Sequence, residues 1–190
     1  HELLRRYLGA WLPTMAMRKN GSKRVIIMDG FAGPGVYSNG EEGSPLIALR
    51  ALLDHTAAAR MADTTYSFVF FEDDPERFAS LQEQIAQLKT SYAGWPTNIR
   101  IHPTEPMSFR SGGEWLLDQI GEKARLAPIF ALNDPFGVSG LPLDLIRRLC
   151  QFAGAEVFVN YMRNTVQRFA GAGNIDHHLQ ELFGTDEYAD

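Results

Sequence analysis

The chain has 190 residues, 45% of them hydrophobic and 22% charged, a balance that fits a globular protein and excludes disordered and fibrous classes. Its net charge of −5 argues against a domain that grips nucleic acid unaided, since such domains carry a basic footprint. No apolar run approaches the ~20 residues of a membrane helix, and the one cysteine, Cys150, supplies neither a disulfide framework nor a paired-cysteine metal knuckle.

No basic-then-apolar leader is read, and a reducing, cytoplasmic compartment is the expectation. Both ends read as cut. His1 leads straight into a helical pattern, and the closing residues through Asp190 show no cap or tail, so a fragment of a longer chain is expected.

Taken in chain order, an amphipathic helix is expected from Glu2 to about Met17, followed by a basic turn from Arg18 to Arg24. Apolar strand runs then alternate with helical patterns. The strands read Arg24 to Asp29, Tyr66 to Glu72, Asn98 to His102, Ala127 to Asn133 and Glu156 to Tyr161. Three are nearly continuous in apolar residues, as strands covered on both faces should be. Ser44 ahead of Pro45, and Asp74 ahead of Pro75, read as helix N-caps followed by proline in the first turn. Ser111-Gly112-Gly113-Glu114 reads as a capping box, and Pro142 opens a fourth crossover helix. From Arg163 to Asp190 the pattern is one or two helices. Strands joined by crossover helices specify an α/β fold with a doubly wound, mostly parallel sheet of the Rossmann-like kind. With no internal repeat or linker, residues 1–190 read as a single domain.

In such sheets ligands bind at the carboxyl ends of the strands, near the point where strand order reverses. That rule gathers Asp29 with its glycine loop, Glu72 with Asp73 and Asp74, Thr104 and Glu105, Asn133 to Phe136, and Asn160 with Arg163. The basic turn falls at the opposite rim and reads as a solvated turn rather than a nucleic-acid patch. The strand-end face is acidic, which suits a ligand with positive charge and hydroxyls better than a polyphosphate.

Three strand ends carry the chemistry. In Asp29-Gly30-Phe31-Ala32-Gly33-Pro34-Gly35 the glycines let the backbone approach a ligand and turn amides inward, although a tight βα turn without a ligand would use them too. The loop matches neither the dinucleotide fingerprint nor the P-loop, whose lysine it lacks. A carboxylate just before the glycines suits S-adenosylmethionine, whose amino group and sulfonium are cationic. Gly30, Phe31, Gly33 and Gly35 are the other loop candidates, with Phe31 free to pack on the cofactor or face a substrate. Glu72 can accept hydrogen bonds from ribose hydroxyls, or stand as a solvated acid in its turn. Asn133-Asp134-Pro135-Phe136-Gly137 occupies the place where amine-modifying methyltransferases set a polar residue, two prolines and an aromatic ring that stacks on the base. Two alignments are open. Asp134-Pro135 may lead the motif with Phe136 in the second proline's place, or Asn133 takes the polar role and Phe136 the ring's. Asp134, Pro135 and Phe136 are the catalytic candidates, and Asn133 is grouped with the cofactor.

These segments together resemble the three-Cys-motif partner proteins. The resemblance rests on Asp29 to Gly35, on Gly43-Ser-Pro-Leu-Ile-Ala-Leu49, on Asp134 to Gly137 and on Phe158-Val-Asn-Tyr-Met-Arg163, and it spans roughly residues 3 to 185. It implies a bacterial protein with a methyltransferase-like fold, encoded beside a separate partner that carries the three cysteines. The segment from Gly43 to Ala48 is also similar to one in ribosomal-RNA adenine-N6 methyltransferases, which end the fourth strand with Asp-Pro-Pro-Tyr. Methyltransferases of this class finish the sheet with a sixth strand and a reversed seventh. Nothing after Tyr161 reads as either, so truncation at the C-terminus is expected.

Other features have plainer readings. His177 and His178 stand in a helical stretch with rings pointing apart, so no metal site is expected. Trp11, Trp95 and Trp115 read as core or rim aromatics. Arg163 and Arg168 face either a phosphate backbone or local acids. The leading expectation is an S-adenosylmethionine-dependent methyltransferase acting on a nucleic-acid base. The alternative is a non-catalytic partner or specificity subunit with the same fold. A nicotinamide oxidoreductase is disfavoured by the wrong fingerprint.

Overall fold

A computed structural model describes residues 1–19, 21, 23–102, 105–120, 127–135, 140–152, 154–160 and 176–185. Nearly continuous apolar runs in the central strands have a direct consequence: the sheet must be covered on both faces. Five strands, β1 (Arg24–Asp29), β2 (Thr65–Phe70), β3 (Ile99–His102), β4 (Ile129–Asn133) and β5 (Ala155–Val159), form one sheet in the order β3-β2-β1-β4-β5. All four pairings are parallel. The chain therefore winds outward from β1 to β3, returns across to β4, and reverses its order between β1 and β4.

Helices α1 (Glu2–Ala16), α2 (Ser44–Leu53) and α3 (Pro75–Ser91) cover one face. There Leu8, Leu49 and Leu81 pack on Val25, Ile27 and Phe68. Helices α4 (Phe109–Ile120) and α5 (Leu143–Cys150) cover the other, where Leu116 and Leu145 pack on Met28, Val69 and Ile129. Phe68 is fully buried, and truncating such a ring to alanine costs about 3–5 kcal/mol. A short 3-10 turn spans Ala58–Met61, and α6 (Asp176–Phe183) follows β5. Among the described residues no helix is long and apolar enough to cross a membrane.

Several local expectations shift. β2 stops at Phe70 rather than Glu72: the Phe71 amide still bonds to Asp29 O, but its carbonyl accepts from the Ala32 amide while the Phe31 amide turns to Asp29 Oδ1, so the ladder register is lost there. β4 starts at Ile129 rather than Ala127, as Pro128 has no N–H to give the ladder. β5 runs from Ala155 and ends at Val159, and Tyr161 lies outside the described residues. Asp74 caps α3 as expected, accepting from the Glu76 and Arg77 amides. Ser44 does not cap α2: Gly43 holds that position and Ser44 is the first helical residue.

The capping box at Ser111 is also corrected. Ser108 precedes α4, and its hydroxyl accepts from the Ser111 amide at 3.2 Å. Ser111 to Glu114 lie inside the helix, where the glycine pair serves packing. A Cβ on Gly112 would stand 2.2 Å from the Phe71 ring, and one on Gly113 2.5 Å from Leu145. The histidine rings of α6 do not diverge. Their centroids lie 3.7 Å apart in the helix's opening turn.

Candidate functional site

The glycine loop is laid over the strand ends by backbone bonds, with the Gly30 amide donating to Leu132 O at 2.9 Å. Its glycines have different jobs. A Cβ on Gly30 would meet Asn133 Oδ1 at 2.5 Å and the Phe109 ring at 2.8 Å, so the chain leaves β1 through a gap only glycine fits. Gly35, at φ 85°, would place a Cβ 3.2 Å from Leu81 and Gln84, so its bareness is used by α3. Gly33, at φ 65°, is the one with space around it: the nearest atom to a Cβ is the Tyr37 hydroxyl at 3.9 Å. Space for a side chain, and so for a ligand atom in its place, is therefore found at Gly33 and not at the other two.

Asp29 ends β1 and is buried. Its Oδ1 accepts from the Phe31 amide at 3.0 Å, while Oδ2 has no hydrogen-bond partner among the described residues. Burial pushes its pKa up to about 6, against the pull of the Ser44 hydroxyl and the Phe31 amide, and the charges of Asp134 and Glu72 add to the rise. The Ser44 hydroxyl freed from capping thus stands near Asp29 without completing a bond to Oδ2.

Asn133 is fully buried at the end of β4, and both Nδ2 and Oδ1 of its amide have no hydrogen-bond partner among the described residues. The register pairs Asp29 with Leu132, which puts Asn133 one residue beyond, across the strand-order reversal. Buried polar atoms left unpaired cost about 1–3 kcal/mol each, and native cores keep few of them. Here an unpaired acceptor and an unpaired amide occur together at the crevice where such sheets bind ligands.

Glu72 is buried two residues past β2, and its oxygens are engaged. Oε2 accepts from the Gly33 amide at 3.0 Å. Oε1 accepts from the Asp74 amide at 2.9 Å and from Arg77 Nε at 3.0 Å. Arg77 is half exposed and also approaches Asp73 at 3.8 Å. The carboxylate is thus the anchor of the loop as well as a wall of the crevice.

Asp134 is exposed, and Asn160 Nδ2 donates to its Oδ1 at 2.8 Å. Pro135 is buried beside it, while Phe136, Thr104, Arg163 and Arg168 lie outside the described residues. Two cavities flank the loop. One of about 150 Å³ is bounded by Gly30, Glu72, Arg77, Met107 and Phe109, and the other, of about 410 Å³, reaches Asp134 and Asn160. Phe31 lines both, with its ring 5.8 Å from that of Phe109. The expected site residues that are described are therefore brought to one end of the sheet, with Gly35 turned away into the core.

Sequence reasoning missed the Asn160–Asp134 bond, the Ser44 hydroxyl and Tyr37 beside the loop, and α1 as a cavity wall. Tyr37 had a signal, since it follows the glycines directly. The α1 contribution had none. It depends on Glu156 of β5 accepting from the Tyr7 hydroxyl and from Trp11 Nε1, pairs about 150 residues apart in sequence. No protein-family model matches this chain, and no curated protein matches it significantly.

Proposed function

We propose that this chain is a methyltransferase-like domain that binds S-adenosylmethionine at the carboxyl ends of β1, β2 and β4 and methylates an amine of a nucleic-acid base. The observation that carries the reading is the pair of groups at the strand-order reversal that no described residue satisfies, Asp29 Oδ2 and the Asn133 amide. A buried anionic acceptor beside an amide that both donates and accepts matches the ammonium and carboxylate of an α-amino acid. It would leave a phosphate facing a carboxylate.

The residues fit the cofactor in these terms. Asp29 and Asn133 would hold its amino-acid end, with Gly33 allowing close approach. Glu72 would meet the ribose, and Phe31 would pack against the bound molecule. S-adenosylmethionine supplies an electrophilic methyl group when bound. Asp134, with Pro135 and Phe136, would line the place where the amine docks, and the Asn160 bond holds the Asp134 carboxylate in one orientation. Alignment rather than a strong base is the contribution asked of the protein, and fixed geometry of this kind is worth several kcal/mol.

Calorimetric titration with S-adenosylmethionine and S-adenosylhomocysteine, with NAD as control, tests this. Saturable binding of the first two and not the third is expected. Failure of both to bind the folded protein removes the reading.

One observation favours a second reading. Glu72 already accepts three hydrogen bonds from the protein, so the loop is locked without a ligand. A non-catalytic partner subunit, working with a separate three-Cys-motif protein, would need that rigidity and no turnover. Cofactor binding without methyl transfer to any nucleic acid, together with a stable complex with such a protein, would support it.

A further inference from the structure

The cavity of about 410 Å³ shares Phe31 and the end of β4 with the cofactor reading but is also built by α1 and β5, which that reading does not use. Leu4 and Tyr7 come from α1, Phe130 and Leu132 from β4, and Phe158 from β5. Pockets that take small organic ligands run from about 300 to 1,000 Å³, apolar in the main with a few convergent polar groups. Those polar groups are present: the Ser44 and Tyr37 hydroxyls, and the Asp134 carboxylate aligned by Asn160. Asp134 Oδ2 takes no hydrogen bond from the described residues.

The cavity wall is also pre-formed. Trp11 Nε1 donates to Glu156 Oε1 at 2.9 Å and the Tyr7 hydroxyl donates to the same carboxylate, which pins α1 to β5. A second observation points to an occupant. Of the four exposed large hydrophobic side chains among the described residues, Leu3, Tyr7 and Phe158 all belong to this one cavity. Exposed apolar side chains concentrated around a concave site mark a ligand or partner surface rather than chance.

We infer that this cavity takes one planar, amine-bearing heterocycle by its ring, with no phosphate anchor. Aromatic and aliphatic walls favour a flat ring, and base–aromatic contact is the sequence-tolerant part of nucleobase binding. The Asp134 carboxylate accepts from an N–H and repels a ring carbonyl. Among the described residues neither lysine nor arginine lines the cavity; His1 is the one basic side chain on its wall, and the Asp134 carboxylate opposes an anion there. Any backbone attached to the ring stays in solvent. The inference deepens the methyl-transfer reading by naming how its acceptor is held, and rests on that reading only in calling the occupant an acceptor.

The test is equilibrium binding to the whole chain, without S-adenosylmethionine, of three probes: adenine, hypoxanthine and adenosine monophosphate. Adenine is expected to bind saturably and about tenfold or more tighter than hypoxanthine, whose carbonyl would face Asp134. The monophosphate is expected to bind no tighter than adenine, and adenine affinity to hold within about threefold as salt rises, where a phosphate anchor would lose far more. Asp134→Asn should reduce the adenine preference to about threefold or less, and Phe158→Ala, at an exposed position, should weaken adenine about threefold or more with melting unchanged.

Four outcomes overturn the inference: no saturable adenine binding by a cooperatively melting protein, equal binding of adenine and hypoxanthine, a monophosphate about tenfold tighter than adenine, or an undiminished preference in Asp134→Asn. Adenine binding that is lost in Glu72→Ala but kept in Phe158→Ala places the ring in the smaller cavity and overturns it as well. A chain that binds adenine in this way yet ignores S-adenosylmethionine loses the proposed function and keeps this inference. The converse result does the opposite.

Discussion

The Gly33 amide donates to Glu72 Oε2 at 3.0 Å, joining the glycine loop after β1 to the turn that follows β2. The same carboxylate takes the Asp74 amide and Arg77 on its other oxygen. A left-handed turn, a helix N-terminus and a strand end are thus tied through one buried side chain, and two consequences for Glu72 can be separated by experiment.

Glu72→Ala leaves the Gly33 amide without its acceptor and should cost about 1–3 kcal/mol. For a chain of this size that lowers Tm by roughly 2–4 °C per kcal/mol. The same variant is expected to weaken S-adenosylmethionine binding, measured by calorimetry on protein confirmed as folded. A lower Tm with unchanged affinity would leave Glu72 as a loop anchor and end its assignment to ribose.

Asp29 makes stability depend on pH. Its folded pKa of about 6 lies above the ordinary value of 3.8, so the folded chain binds a proton that the unfolded chain has already released. The contribution is full below about pH 4 and is lost as pH rises through about 6, a span worth about 3 kcal/mol. Asp29→Asn should flatten that fall, read as Tm against pH across the window. Cofactor affinity should rise through the same window in the natural chain, as Asp29 becomes the anion an ammonium needs, and stay flat in the variant. Parallel curves for the two proteins would show that Asp29 does not titrate there.

Asp134 is exposed, so Asp134→Ala should change stability by no more than about 0.5 kcal/mol. Cofactor affinity should hold within about threefold while methyl transfer falls about 100-fold or more, the usual loss when an aligned polar group is removed. Isotope transfer from labelled S-adenosylmethionine to a nucleic-acid acceptor gives the rate. Full transfer by the variant would rule out Asp134 as a catalytic group.

The glycines should separate by neighbourhood rather than by motif. Gly30→Ala drives a methyl group into Asn133 and Phe109 and should cost about 1–3 kcal/mol or more. Gly9→Ala, in α1 with no atom within 4 Å of the new carbon, should stabilise by about 0.5–1 kcal/mol. Thermal melts of the two variants give opposite shifts if packing decides, and a stabilised Gly30→Ala would contradict the close contact.

What could be read without the structure was whatever short-range chemistry decides. The alternation of apolar runs gave the five strands and their crossover helices, and Asp74 before Pro75 gave a true N-cap, because periodicity and capping act within a few residues. The strand-end rule then collected Asp29, Glu72, Asn133 and Asp134 at one rim.

Tertiary structure decided everything that depends on a neighbour from another element. Only the order β3-β2-β1-β4-β5 sets Asn133 beside the end of β1 and leaves its amide and Asp29 Oδ2 together without a partner among the described residues. Ser44 reads as a cap until Asp29 is seen near its hydroxyl. Gly35 and Gly112 read as loop or cap glycines until α3 and Phe71 are seen to fill the space a Cβ would take. The wall that α1 adds to the larger cavity rests on Tyr7 and Trp11 meeting Glu156 near the other end of the described chain. Local pattern carries which residues reach the sheet's end, and long-range packing alone determines which of their polar atoms remain free to bind.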